Sequence, residues 1–205
     1  MNQMLQDPEV NSPQVNSPEV NSPEVNSLEV QNPDPQAPET IDPPVHPRFA
    51  RPQRVAFVQS SWHREVVEEC RIAFLAEIEA RGIERARIDL FEVPGSFEIP
   101  LHAQLLAKTR RYTAIVAAGL VVDGGIYRHE FVADTVIKAL MDVQLRTEVP
   151  VFSAVLTPQQ FHETAAHFEF FRKHFATKGI EVAEACANTL LSLERLRGQV
   201  AAGIV

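Results

Sequence analysis

The chain of 205 residues is 45% hydrophobic and 22% charged, with a formal charge of −8 and two cysteines. That length supports one ordinary domain with a core and is too short for several. The longest apolar run, residues 114–122, is nine residues long, whereas a membrane-spanning helix needs about 20, so no membrane segment is expected.

In chain order, the first fifty residues differ in composition from the rest. Eleven of the fifteen prolines precede position 53, no glycine precedes Gly82, and a five-residue unit, Val-Asn-Ser-Pro-Glu with variations, repeats from Val10 to Glu29. A proline in most repeats removes backbone donors and biases the preceding residue away from helix, and little apolar surface is available to offset ordering. Residues 1–50 are therefore expected to be a disordered, acidic tail, and residues 51–205 the folded domain. The tail holds eight acidic residues against one Arg, which leaves the remainder near neutrality with 19 acidic and 18 basic residues. Nothing in that remainder suggests a basic face for nucleic acid. The acidic, Pro-rich start does not resemble a secretory signal, and Cys70 and Cys186 lie far apart with no CxxC, which together predict a reduced, cytoplasmic protein.

From residue 54 strands and helices alternate. Arg54 to Gln59 is short and β-branched, and Ser60-Ser61 can cap a helix in which Val67, Cys70, Phe74 and Ile78 recur until Gly82 stops it. Arg87 to Val93 alternates as a strand, and Ile99 to Ala107 follows Pro94-Gly95 as a helix that tolerates Pro100 only in its first turn. Tyr112 to Val122 is the most apolar strand, and a helix is predicted from His129 to Arg146. After a strand at Val149 to Leu156, Thr157-Pro158-Gln159-Gln160 offers an N-cap, a first-turn proline and a capping-box glutamine. That helix is expected to reach Phe175, break near Lys178-Gly179 and resume from Ile180 to Arg197. Continuous apolar strands separated by helices imply right-handed crossovers. The fold class is α/β, a flavodoxin-like three-layer sandwich with a four-stranded parallel sheet and helices on both faces.

Ligands gather at the carboxyl ends of such strands, which selects four junctions. The first holds Trp62, the sole Trp, able to stack on a planar ligand or equally to pack against a neighbour. The second, Val93 to Pro100, joins a tight turn to a helix start whose backbone groups can read polar edges. The third carries Gly124-Gly125 before Arg128 and His129, a combination that suits phosphate and is also compatible with a plain loop. The fourth has Ser153 at its strand end, followed by His162, His167 and His174, whose spacing does not suggest a zinc site.

The Val93-Pro-Gly-Ser-Phe-Glu-Ile-Pro100 segment, the Gly119 to Val132 loop and Lys178-Gly179 resemble the corresponding motifs of 6,7-dimethyl-8-ribityllumazine synthase, over residues 54–197. The Asp123-Gly-Gly-Ile-Tyr-Arg-His129 loop is similar to that of the family's divergent second type, which forms decamers of two pentamers. The resemblance implies a transferase of riboflavin biosynthesis that condenses 5-amino-6-(D-ribitylamino)uracil with 3,4-dihydroxy-2-butanone 4-phosphate. It also implies small-molecule substrates, a homo-oligomer, and no metal or organic cofactor; charge and the short apolar runs already argue against a nucleic-acid or membrane partner. By position, Trp62 would stack on the pyrimidine, Ser96, Phe97 and Glu98 would hold the ribityl chain, Leu120, Val121 and Val122 would line the uracil site, and Gly125 and Ile126 would fall at the phosphate. Three positions depart from the family pattern. The general acid/base His aligns with Arg128, with His129 one place later; Arg stays protonated, so Arg128 is expected to bind phosphate and His129 or a water to move protons. Ser153 stands where a neighbouring subunit's aromatic is usual, and His167 where a phosphate-binding Arg is usual. The altered Arg128 and His167 also fit a second reading, a flavin- or lumazine-binding oligomer without catalysis. A receiver-type signalling domain is disfavoured, because Glu92 and Asp123 do not form its acidic cluster.

Overall fold

The computed structural model describes residues 49–125 and 128–205; nearly all of the predicted tail, and Ile126 with Tyr127, lie outside the described residues. Four parallel strands, β1 (Val55–Ser60), β2 (Ile88–Val93), β3 (Ala114–Leu120) and β4 (Val151–Leu156), form one sheet in the order β2-β1-β3-β4. Four helices, α1 (Arg64–Ala80), α2 (Ile99–Lys108), α3 (His129–Thr147) and α4 (Ala165–Ala201), cover it. Strand parity decides which residues meet which helices. Val55, Phe57, Val116 and Ala118 pack under α1 and α4, whereas Ala56, Val58, Ile115 and Ala117 pack under α2 and α3. The central strands are buried along their whole length, as an all-parallel sheet covered on both faces requires. The predicted three-layer sandwich is the observed one. Phe49, immediately before the domain, packs partly buried against the α1 and α4 layer.

Three helix boundaries differ from the sequence reading. The last helix begins after Thr164, whose hydroxyl accepts the His167 N–H at 3.4 Å, and not at Thr157. Phe161 is the reason: its buried ring lies 5.2 Å from His63, 5.4 Å from Phe168 and 5.3 Å from Phe171, and this aromatic cluster holds residues 157–164 out of helical register. Nor does the helix break at Lys178-Gly179, because α4 runs uninterrupted for 37 residues, about 55 Å. Gly179 serves close packing. A Cβ there would lie 2.4 Å from the Cys70 carbonyl oxygen and 2.8 Å from the Ala73 Cβ, so only glycine lets α4 approach α1 this closely. Likewise α1 is preceded by His63, with left-handed backbone at φ 51°, and not capped from Ser60, which ends β1.

Cys70 and Cys186 are free and buried, and desolvation pushes both thiols up to about 12. At the end of the sheet opposite the strand carboxyl ends, Arg54 makes a bidentate pair with Asp89 at 2.9 and 2.7 Å, and the Tyr112 hydroxyl donates to Asp89 at 2.8 Å. Burial pushes the Asp89 carboxyl up, but the bonds from Tyr112 and Arg54 outweigh it and hold the group below its ordinary value. A depressed carboxylate contributes stability above its unfolded pKa, about 3.9, and loses it as pH falls through the lower folded value. Asp89→Asn is therefore expected to cost about 1–2 kcal/mol at neutral pH. In urea denaturation across pH the gap to wild type should close as the solution is acidified below about 4; a gap that stays constant to strongly acidic pH would refute the assignment.

Candidate active site

The order β2-β1-β3-β4 reverses direction between β1 and β3, and a crevice opens where these strands diverge at their carboxyl ends. The cleft there has a volume of about 580 Å³. Trp62 and His63 enter it from the end of β1, Gly95, Ser96 and Phe97 from the turn after β2, and Leu120 to Gly124 from the end of β3. His129 and Val132 line it from the first turn of α3, and Phe161 and Glu163 from the segment after β4.

The local backbone explains how these side chains meet. The left-handed His63 turns the chain sharply, and its carbonyl accepts the Val66 and Val67 N–H groups that open α1. Such a conformation costs a non-glycine residue of order 1–3 kcal/mol and is held here by tertiary contacts. His63 packs against Phe161 and Phe168 and stands edge-on to Trp62 at 5.6 Å. The indole is thereby projected into the cleft, 62% exposed, and Phe97 of the same lining is equally exposed. Large aromatic surfaces left open at a cleft mouth suit a planar ligand or a neighbouring chain. Behind them the walls are the apolar Leu120, Val121, Val122 and Val132.

Seven of the sequence-predicted residues converge on this cleft: Trp62, Ser96, Phe97, Leu120, Val121, Val122 and His129. Arg128 does not line it; its guanidinium lies over the Phe131 ring, 4.4 Å from the centroid. One residue further along the helix start, His129 faces the cleft with its Nδ1 3.7 Å from the Glu130 carboxylate, as expected when adjacent helical positions point about 100° apart. The Glu98 carboxylate folds back toward Gly95, where an added Cβ would meet its Oε2 at 3.0 Å. Gly125 lines an adjoining polar cleft of about 430 Å³ with Gln159, Gln160 and His162; Asp123 and Phe161 border both spaces. Its φ of 72° requires glycine, and its N–H donates to Asp123 Oδ1 at 2.9 Å, so that amide is turned inward rather than toward an anion. His167 stands behind this cleft, its Nδ1 accepting the His162 N–H at 3.1 Å. Ser153 is exposed on the edge strand β4, away from the cleft, with Phe152 packed on the opposite face. Ile126 lies outside the described residues.

The sequence reading missed Phe161 and Glu163 as cleft residues because it placed them in a helix. It missed Val132, although a residue one turn beyond His129 shares its face. Among the described residues no group of three or more His, Cys, Asp or Glu side chains is positioned to hold a metal ion.

A sequence model of 6,7-dimethyl-8-ribityllumazine synthase matches residues 52–194, most of the chain and all of its sheet. The chain is 82% identical over 166 residues to a protein of Bradyrhizobium diazoefficiens named 6,7-dimethyl-8-ribityllumazine synthase 2, covering 80% of this chain and 99% of that one. A Rhodopseudomonas palustris protein of the same name is 72% identical, over 78% of this chain and 87% of the relative. Identity to a Caulobacter vibrioides protein named 6,7-dimethyl-8-ribityllumazine synthase 1 is 36%, over 71% and 94% of the two chains. The chain belongs to the 6,7-dimethyl-8-ribityllumazine synthase family, is most similar among these relatives to those named as its second type, and has that family's transferase activity in riboflavin biosynthesis.

Proposed function

We propose that the cleft between β1 and β3 is where the uracil amine and the ketose phosphate are joined, with the following division of roles. Trp62 stacks on the pyrimidine, the backbone of Leu120 to Val122 reads its polar edge, and Ser96 and Phe97 hold the ribityl chain while Glu98 supports the turn behind them. The observation that carries this reading is the convergence of an exposed indole, an apolar wall and a histidine on one switch-point cleft. The reaction needs oriented reactants and moved protons more than a protein nucleophile. The uracil amine attacks the ketone carbonyl and an imine forms with loss of water. A proton then leaves the adjacent carbon as phosphate departs, and the ribitylamino nitrogen closes the ring on the resulting carbonyl with loss of a second water. His129 is the residue able to take and return these protons, since it borders the cleft and an imidazole has one nitrogen that donates and one that accepts.

The phosphate end of the second substrate extends toward the adjoining polar cleft. Gly125, Ile126, Arg128 and His167 serve it there, in part after the Gly125 amide is released from Asp123. Support comes from Asp123 and Phe161, which border both spaces. The family implies oligomeric assembly, and we propose a pentamer that pairs into a decamer. Exposed apolar side chains on α2 and α3, namely Leu101, Leu105, Phe131, Met141 and Leu145, support such burial between copies. In that assembly Ser153 would face a neighbour's cleft. No described helix is long and apolar enough to cross a membrane, which is compatible with a cytoplasmic location. The test mixes the two substrates with the protein and follows lumazine fluorescence and phosphate release. One phosphate per lumazine is expected; tight lumazine binding without turnover would favour the non-catalytic reading instead.

A further inference from the structure

Beside α1 the outer face of the edge strand β2 is left partly open, because α1 lies over β1 and β3. A cavity of about 240 Å³ occupies this position and shares no lining residue with either cleft described above. Phe57 of β1 and Leu90 of β2, paired across the sheet, make its apolar floor. Two residues further along the same strands Gln59 and Glu92 are paired in turn, and Arg64 and Arg71 of α1 close the side.

Gln59 is only 3% exposed. Its Nε2 donates to Glu68 Oε2 at 3.1 Å, which fixes the way the amide is turned. Oε1 is then buried with no hydrogen-bond partner among the described residues, an arrangement that is costly unless something else brings a donor. The cations around it are in surplus. Arg64 lies 3.2 Å from Glu92, but its side chain is 60% exposed and free to turn inward. Arg71 is paired with Glu68 through Nε at 3.1 Å. Burial, and then the neighbouring Arg85 and Arg64, lower the Arg71 pKa from its ordinary value. Three guanidiniums thus stand against the two carboxylates of Glu68 and Glu92, over a floor whose low polarity strengthens any charge interaction made there.

We infer that this cavity binds a small oxyanion that carries one hydroxyl, either hydrogen phosphate or an α-hydroxy carboxylate. The hydroxyl donates to Gln59 Oε1, and the other oxygens accept charge-assisted hydrogen bonds from Arg64 and Arg71. Sulfate, which has no proton to give at neutral pH, suits the arginines but turns only lone pairs toward Gln59 Oε1. No residue of this cavity takes part in the reaction proposed above, so the site stands or falls separately from that reading.

Equilibrium dialysis of the full chain against labelled inorganic phosphate at neutral pH provides the test, with Arg64→Ala and Gln59→Leu beside wild type. Wild type should bind one phosphate per chain more than Arg64→Ala, and unlabelled sulfate should displace that additional ion at least about tenfold less effectively than unlabelled phosphate. Gln59→Leu should weaken phosphate about tenfold and leave sulfate unchanged, which erases the preference. Turnover of the two substrates should be the same in all three proteins. Lactate that displaces the ion better than phosphate does would support the site with an organic occupant, and displacement by phosphate alone would support it with an inorganic one. Equal phosphate binding by wild type and Arg64→Ala would overturn the inference, as would sulfate competing as well as phosphate, or Gln59→Leu weakening both ions alike. Arg64 is a surface side chain, so its variant should fold, and the preference of wild type for phosphate over sulfate is read without any variant.

Discussion

Alanine at position 129 is expected to lower kcat by about 10²–10⁴-fold, the usual worth of a positioned general acid or base. Arg128→Ala should act differently, raising KM for the ketose phosphate about tenfold with a smaller change in kcat, because a guanidinium that stays protonated can hold an anion but cannot exchange protons. The contrast follows from geometry. His129 borders the cleft, whereas Arg128 lies over Phe131 at the helix start. His129→Ala should also change the shape of the pH profile of kcat, as removal of a proton carrier does. An active His129→Ala enzyme with the wild-type pH profile would eliminate His129 as the proton carrier and leave the role to a water.

The second large effect concerns packing. Gly179→Ala should destabilise the protein by about 2–4 kcal/mol, even though alanine is favoured over glycine in a helix by about 1 kcal/mol. The new Cβ would strike the Cys70 carbonyl oxygen, the Ala73 Cβ and the Phe74 backbone nitrogen at 2.4, 2.8 and 3.0 Å, two of them backbone atoms with little freedom to yield. Gly198 provides the control. It lies in the same helix with nothing within 4 Å of an added Cβ, so Gly198→Ala should gain about 0.5–1 kcal/mol. Denaturation midpoints of the two variants should move in opposite directions; two stabilising substitutions would show that α1 and α4 are not in such close contact.

Strands and layers were legible in the sequence because burial on both faces of a parallel sheet leaves an unmistakable apolar run, as in Ala114–Leu120. The cleft was legible for the same topological reason, since Trp62, Ser96 and Leu120 follow strand ends. What was not legible depended on contacts distant in sequence. Thr157-Pro158-Gln159 is a good local helix start, yet the pull of Phe161 onto His63 and Phe171 overrides it and delivers Phe161 and Glu163 to the cleft. Gly179 looks like a helix stop until the partner helix is seen against it. Arg128 and His129 are one step apart in sequence, and only the orientation of α3 decides which faces the ligand.

Trp62 is the only tryptophan of the chain, so its emission reports on this cleft alone. Titration with 5-amino-6-(D-ribitylamino)uracil should quench it saturably, at one ligand per chain and with a midpoint close to the KM for that substrate. Normal turnover accompanied by unchanged tryptophan emission would contradict the placement of the pyrimidine against Trp62.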